Sequence, residues 1–238
     1  AAVALLARAR GLMGDVSSAF ELIHGQGLRF LSEHLPEVRQ PIPGHPEWSV
    51  LIDVGVMGNG DPQALLETLF EAGVAAGEVL DGVVSQSESQ RAMLWEMREQ
   101  IPEGNRRVGA IVSTDISVPL SAIPQMIARA RAGLAELGDM RVHAFGHVGD
   151  GNLHLNIFPA AGKTKGDYAN LKGAIGDLVH DLAVSLEGSF SAEHGIGRLK
   201  VEALERYADP GKLAAMRAIK VALDPHGIMN PGAVLAVT

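Results

Sequence analysis

The stretch HAFGHVGDGNLHLNIF, His143–Phe158, decides the fold. Asp150-Gly151 lies between two runs with β-type alternation, and such a pair is a strong signal for a two-residue hairpin turn, which needs positive φ at both central positions. The pattern therefore predicts two antiparallel strands, Met140–Gly146 and Leu153–Phe158, joined by a tight turn.

The histidines of this hairpin are expected to share one surface. A turn centred on Asp150-Gly151 places His147 directly opposite His154, and cross-strand partners have Cβ atoms about 5 Å apart. Period-two alternation adds His143, Phe145 and Asn156 to the same face. Two imidazoles could thus share one ion, although a polar hairpin tip without a ligand is the alternative interpretation; His143 is expected to be a buried, hydrogen-bonded imidazole.

The rest of the chain has a mixed pattern of strands and helices. Strands are predicted at Trp48–Met57, Gly82–Ser85, Val108–Val118 and Ser189–Ala192. Helices are predicted at Ala1–Met13, Ser17–Leu35, Gln63–Val79, Ser87–Gln100, Ser121–Leu137, Gly166–Leu186 and Lys212–Leu223. Successive β-α-β passages with a hairpin favour an α+β fold, an antiparallel sheet with helices on one face in a ferredoxin-like (split βαβ) arrangement. The sequence indicates one domain, residues 1–238.

Composition excludes several classes of protein. The 238 residues are 47% hydrophobic, enough for a substantial core, and the formal charge of −8 without any long basic cluster argues against a nucleic-acid partner. There is no cysteine, so any metal must be bound by His, Asp or Glu. No apolar run approaches the ~20 residues that span a bilayer. The first residue, Ala1, is not an initiator Met, and we expect the chain to begin inside a longer protein.

A carboxylate and an imidazole follow the predicted Ser189–Ala192 strand. Glu193-His194 is followed by Gly195 and Gly197, which permit a sharp turn that delivers both side chains to the rim of a sheet. Two histidines and one glutamate are typical of a catalytic divalent site with an open position. A solvated Glu-His pair is the alternative. The glycines do not form a dinucleotide fingerprint, because Lys200 stands where the third glycine would be needed.

Two further features have both a functional and an ordinary interpretation. Arg98, on the predicted Ser87–Gln100 helix, could bind a substrate carboxylate in bidentate fashion, or could be an exposed, solvated arginine. The stretch Asp224-Pro225-His226-Gly227-Ile228-Met229-Asn230-Pro231-Gly232 halts the preceding helix and by composition alone is only a helix stop.

Together these segments resemble a known family. The segments that carry the resemblance are Phe20-Glu21-Leu22, Trp95…Arg98-Glu99, His147-Val-Gly-Asp-Gly-Asn-Leu-His154, Glu193-His194-Gly195-Ile196-Gly197 and the Asp224–Gly232 stretch. The chain resembles the C-terminal FAD-linked oxidase domain of flavin-dependent D-2-hydroxyacid dehydrogenases. That family includes D-lactate dehydrogenases, D-2-hydroxyglutarate dehydrogenases and the glycolate oxidase flavin subunit. The resemblance covers essentially the whole chain.

The resemblance implies roles for individual residues. His147, His154 and Glu193 would bind a divalent metal, usually zinc. Arg98 and Asn156 would contact the substrate, His194 would be the catalytic base, and Asn230 would contact the cofactor FAD. The implied reaction is oxidation of a D-lactate- or glycolate-like 2-hydroxycarboxylate to the 2-oxo acid, with hydride transfer to the flavin.

The chain also departs from the family pattern. Members that act on hydroxy-diacids are similar to one another in a Lys-x-Asp segment, which here is Ser113-Thr114-Asp115, so a 2-hydroxyglutarate-like substrate is not expected. We expect this chain to be a fragment without the family's N-terminal FAD-binding domain, inactive alone and pairing with that domain, in a cytoplasmic homo-oligomer. A metal-dependent hydrolase and a non-catalytic oxidase subunit module are the alternatives.

Overall fold

A computed structural model describes residues 1–14, 17–56, 58 and 60–236 of the chain. Within them the helices are α1 Ala2–Met13, α2 Gly25–His34, α3 Pro62–Ala75, α4 Glu88–Glu99, α5 Ile101–Val108, α6 Ile123–Leu137, α7 Lys172–Ser185, α8 Val201–Tyr207 and α9 Pro210–Leu223. The strands are β1 Ser17–His24, β2 Trp48–Val54, β3 Val112–Ser113, β4 Ile116–Ser117, β5 Met140–His147 and β6 Asn152–Pro159. In the described part of the chain, none of the helices has the length and apolar character that crossing a bilayer requires.

The strands form one antiparallel sheet, as expected for the α+β class. Its order is β2-β1-β5-β6-β3, with β4 also paired to β6. Since β3 and β5 both run antiparallel to the intervening β6, β3-α6-β5 is a split β-α-β unit. The β1 and β2 strands are direct antiparallel neighbours instead, so the sheet as a whole does not have the ferredoxin-like order.

Helices pack on both faces of the sheet, and not on one face as expected. Leu22 and Leu155 belong to a large apolar core with residues of α1, α3, α6 and α7. Ile23 and Phe145 face the other way and pack with residues of α2, α4 and α5. The second face therefore has a core of its own at one end, and it carries the histidines of β5 and β6.

Burial on both faces explains the largest error of the sequence interpretation. Ser17–Leu35 was expected to be helical throughout, but Ser17–His24 is β1 and the helix begins only at Gly25. Because both faces of this strand are buried, it lacks the alternation that marks a half-exposed strand. The His24 side chain then accepts a hydrogen bond from the backbone N–H of Gln26 and caps α2.

Other predicted boundaries shift. Gly82–Ser85 is a loop, and Ser189–Ala192 contributes only a bridge between Ser189 and Ser117. The strand predicted over Trp48–Met57 ends at Val54, and Met57 lies outside the described residues. The helix predicted from Gly166 begins at Lys172, after a 3₁₀ turn. The remaining predicted helices are confirmed, with ends displaced by a few residues.

The hairpin is confirmed, but its register differs by two residues. His154 lies opposite Phe145, and not opposite His147. The backbone N–H of Asp150 donates to the carbonyl of His147, and the Asp150 carboxylate accepts the N–H of Asn152, so the loop spans residues 148–151. A shift by two residues preserves the face of every side chain, so the predicted histidine face remains.

Candidate metal and substrate site

Strand pairing fixes the first side of the site. β1 and β5 place Glu21 opposite His147, and the Glu21 carboxylate accepts a hydrogen bond of 2.6 Å from Nδ1 of His147. Glu21 is only 2% exposed. A carboxylate on Nδ1 sets the tautomer that leaves the Nε2 lone pair free, as is usual for metal-binding histidines.

Arg98 neutralises this buried carboxylate. Its Nε and Nη2 atoms both lie 2.8 Å from Oε2 of Glu21, and its guanidinium lies 5.0 Å above the ring centre of Phe145. The arginine is buried, which contradicts the alternative of a solvated side chain. Two of its five N–H groups are therefore directed at Glu21 inside the protein.

His154 enters the site from β6. Its ring packs 4.9 Å from that of Phe145, and its side chain is 13% exposed. Burial lowers the pKa of His154, although Asp115 and Glu193 act in the opposite direction. A neutral imidazole results, which is the form that can bind a metal ion.

Glu193 completes a group of three. One carboxylate oxygen lies 3.9 Å from Nε2 of His147, and the other lies 3.8 Å from Nε2 of His154. The structure thus places Glu193 within 4 Å of both histidines, without the direct cross-strand pairing of His147 and His154 that the sequence predicted. The histidines are not cross-strand partners, but they lie on one face of the sheet, and a different oxygen of Glu193 approaches the Nε2 atom of each.

Asp115 lies beneath this group, between β3 and β4. It is 2% exposed and accepts hydrogen bonds from Nδ2 of Asn152 (2.9 Å) and from the backbone N–H groups of Glu193 (2.9 Å) and His194 (2.8 Å). Burial acts to raise the pKa of Asp115, but the bonds from His194, Glu193 and Asn152 outweigh it and hold the pKa below its ordinary value. The carboxylate is therefore charged at neutral pH.

His194 lies at the exposed edge of the site. Its ring stacks 5.6 Å from that of His154, and its Nδ1 lies 3.7 Å from Oδ2 of Asp115. Asp115, His154 and His194 each have one ligand atom within 4.8 Å of the other two, and among the described residues this is the group of three whose atoms all lie that close together.

Asn156 and His143 occupy the buried part of the same face. They are cross-strand partners, and Nδ1 of His143 bonds to Oδ1 of Asn105. His143 is fully buried, which confirms the expectation of a hydrogen-bonded core imidazole. Burial lowers the pKa of His143 to about 3. Asn156 Oδ1 is buried without a hydrogen-bond partner in the described part of the chain, so its acceptor is available to a ligand.

Asn230 belongs to a different local structure. It has φ of 49°, and its side-chain oxygen accepts a hydrogen bond of 2.8 Å from Nη2 of Arg198. The backbone N–H of Val234 binds the carbonyl of Gly197, so this C-terminal loop packs on the loop that follows His194. The structure does not bring Asn230 into the group of histidines and carboxylates.

Sequence reasoning missed Glu21 and Asp115 as parts of the site. Each is an acidic residue within an otherwise apolar, β-rich segment, AFELIH and AIVSTDISV. A charged residue on a buried strand is almost always paired. That signal was present, but the partners lie far away in sequence and only the sheet topology identifies them.

Comparison with known proteins agrees with this architecture. The profile of the family described as "FAD linked oxidases, C-terminal domain" matches residues 1–234. The chain belongs to that family. It is 34% identical over 231 residues to a mitochondrial D-2-hydroxyglutarate dehydrogenase of Arabidopsis thaliana, and the alignment covers 97% of this chain and 40% of the relative. It is 39% identical over 168 residues to a D-2-hydroxyglutarate dehydrogenase of Stutzerimonas stutzeri, and this alignment covers 70% of this chain and 36% of that protein.

A solved structure has the same fold. The 4-ethylphenol oxidase of Gulosibacter chungangensis aligns with a TM-score of 0.59 at 15% identity, over 98% of this chain and 51% of the oxidase. At that identity the likeness concerns the fold alone. The chain spans about two fifths of the length of the curated relatives it matches.

Proposed function

We propose that this domain is the substrate- and metal-binding half of an FAD-dependent dehydrogenase that oxidises a 2-hydroxycarboxylate to the 2-oxo acid. The observation that carries the proposal is the position of the Glu193 carboxylate within 4 Å of Nε2 of both His147 and His154. Membership of the FAD-linked oxidase family supports the flavin. The names of the relatives support a D-2-hydroxyacid as substrate.

The donor set suits a divalent metal. Ligands at about 2.1 Å from one ion lie between 3 and 4 Å from each other, and Glu193 approaches both Nε2 atoms at such separations. Nδ1 of His147 donates to Glu21, so its Nε2 is an acceptor that points to the site. Two imidazoles and one carboxylate leave a coordination position open for substrate, as in catalytic zinc sites.

The remaining residues would orient the substrate and move its proton. When bound, the metal would lower the pKa of a coordinated hydroxyl and the flavin would accept the hydride. His194 is two-thirds exposed beside this position, and we propose it as the base that takes the hydroxyl proton. Asn156 would contact the substrate through its side-chain amide, and Arg98 would use the N–H groups of Nη1, since Glu21 takes Nε and Nη2.

The identity of the hydroxyacid is the finer part of the proposal. Ser113 is exposed on β3 opposite Asn156, and it offers a hydroxyl where a second carboxylate would need a cation. A monocarboxylate such as D-lactate or glycolate is therefore proposed, and D-2-hydroxyglutarate, the substrate named for the relatives, is the comparison compound. Several other points stay predictions. They are zinc as the metal, a cytoplasmic location, homo-oligomer formation, a cofactor role of Asn230 and a separate domain that binds most of the FAD.

Anaerobic flavin reduction tests the function. In the flavoprotein that contains this domain, a D-2-hydroxyacid should bleach the flavin absorbance, and His154→Ala should abolish bleaching while the flavin stays bound. His34→Ala, at the end of α2, is the matched histidine control and should behave as the wild type. Bleaching at an unchanged rate by His154→Ala would contradict the metal role. Hydrolase activity of the metal-loaded chain without flavin would favour a different function altogether.

A further inference from the structure

Asp115 makes an unusual set of contacts with the loop that carries Glu193 and His194. Three consecutive backbone N–H groups donate to this one residue. Ala192 donates to its backbone carbonyl at 3.1 Å, and Glu193 and His194 donate to the same carboxylate oxygen, Oδ2, at 2.9 and 2.8 Å.

These bonds hold a loop whose functional side chains are largely exposed. The side chains of Glu193 and His194 are 44% and 67% exposed, and apolar burial does not fix them. Successive N–H groups directed at one anion are a common way to fix an irregular backbone. On the other side, Asp115 is fixed by Nδ2 of Asn152 at the start of β6.

From these contacts we infer that Asp115 is a positioning residue. It places the Glu193 carboxylate between the two histidines and His194 beside them, and it is not itself a metal ligand. The inference rests on the proposed function, and it assigns to one buried carboxylate the assembly of both the metal site and the base.

The alternative, in which Asp115 binds metal with His154 and His194, fits the contacts less well. Oδ2 already accepts two backbone N–H groups, and Oδ1 accepts Asn152. Nζ of Lys200 lies 3.8 Å from Oδ2 and adds positive charge on that side. A cation at Oδ2 would have to displace these donors, whereas the Glu193 carboxylate accepts no hydrogen bond from the described residues and its oxygens lie 3.9 and 3.8 Å from Nε2 of His147 and His154.

The substitution Asp115→Asn tests the inference at nearly constant shape. The amide can keep one oxygen for the N–H groups of Glu193 and His194 but removes the negative charge that strengthens both bonds, so the loop should be held more weakly. Asp61→Asn is the matched control, because Asp61 also accepts two backbone N–H groups on one oxygen, from Gln63 and Ala64, at the start of α3.

Cobalt(II) titration followed by visible absorption gives the readout. We expect the wild-type chain to bind one Co²⁺, Asp115→Asn to bind it about 10- to 100-fold more weakly with an altered d–d spectrum, and Asp61→Asn to match the wild type. In the flavoprotein, Asp115→Asn should lower kcat by at least tenfold, since His194 moves as well, while Asp115→Glu should restore part of the affinity by retaining the charge.

The outcomes separate the two proposals. No Co²⁺ binding by the wild type contradicts the proposed function itself. Wild-type binding with unchanged affinity, spectrum and kcat in Asp115→Asn overturns the positioning role alone. Binding that survives Glu193→Ala but not Asp115→Asn would make Asp115 a ligand and would also overturn the positioning role.

A second variant serves if Asp115→Asn does not fold. Asn152→Ala removes one donor to Asp115 and should still weaken Co²⁺ binding a few-fold. No effect of Asn152→Ala would overturn the inference.

Discussion

The site has two halves that are built differently. In the strand half, Glu21 and His147 are register partners on adjacent strands, and Arg98 closes a buried ion pair at 2.8 Å. In the loop half, Glu193 and His194 lie on an exposed loop whose backbone binds Asp115. The strand half is therefore part of the core and forms when the sheet forms. The loop half depends on a few hydrogen bonds to one carboxylate.

The largest expected effect comes from breaking the strand half. Glu21→Ala leaves the Arg98 guanidinium buried without its carboxylate, and removal of one partner of a buried ion pair costs about 3–5 kcal/mol. Urea unfolding at pH 7 measures this loss. Glu103→Ala, which breaks an exposed helical pair with Arg106, is the control and should leave the midpoint almost unchanged. A loss below about 1 kcal/mol in Glu21→Ala would show that the strand half is not built into the core.

The next effect is the loss of stability in acid that two buried histidines, His143 and His24, should cause. Burial lowers the pKa of His143 to about 3, and burial together with Arg131 lowers that of His24 to about 4. Both imidazoles take up protons on unfolding, so stability is full above pH ~6.5 and falls as the pH drops toward 4, by about 1.4 kcal/mol per pH unit for each.

Urea midpoints between pH 7 and 4 measure this slope. His143→Gln keeps a donor for Asn105 but does not titrate, and it should lose about half of the pH dependence. A variant with the wild-type slope would contradict a neutral, buried His143.

The smallest expected effect is in the loop half. Ser191 donates to the carbonyl of Gly195 at 2.7 Å and accepts a bond from Lys200 at 2.9 Å. Ser191→Ala removes these bonds and should cost about 0.5–1.5 kcal/mol at most. Limited proteolysis should show faster cleavage near residues 191–200 than in the wild type, with Ser185→Ala, at the end of α7, as the control. An unchanged cleavage rate would show that the Ser191 bonds do not help to hold the loop.

The sequence predicts the hairpin, its histidine face and the Glu-His turn because these signals are local. Alternation and turn chemistry place His147 and His154 on one surface even though the register was wrong by two residues, since such a shift keeps every side chain on its face. The partners of those histidines could not be predicted. Glu21 contacts His147 across 126 positions of sequence, and only the pairing of β1 with β5 brings them together.

X-ray absorption spectroscopy of the zinc-loaded chain tests the central claim most directly. If His147, His154 and Glu193 share one ion, the spectrum should show two imidazole nitrogens and oxygen ligands at about 2.0–2.2 Å, and His147→Ala should reduce the imidazole count to one. A zinc shell without imidazole, or one that stays the same in His147→Ala, would contradict the account.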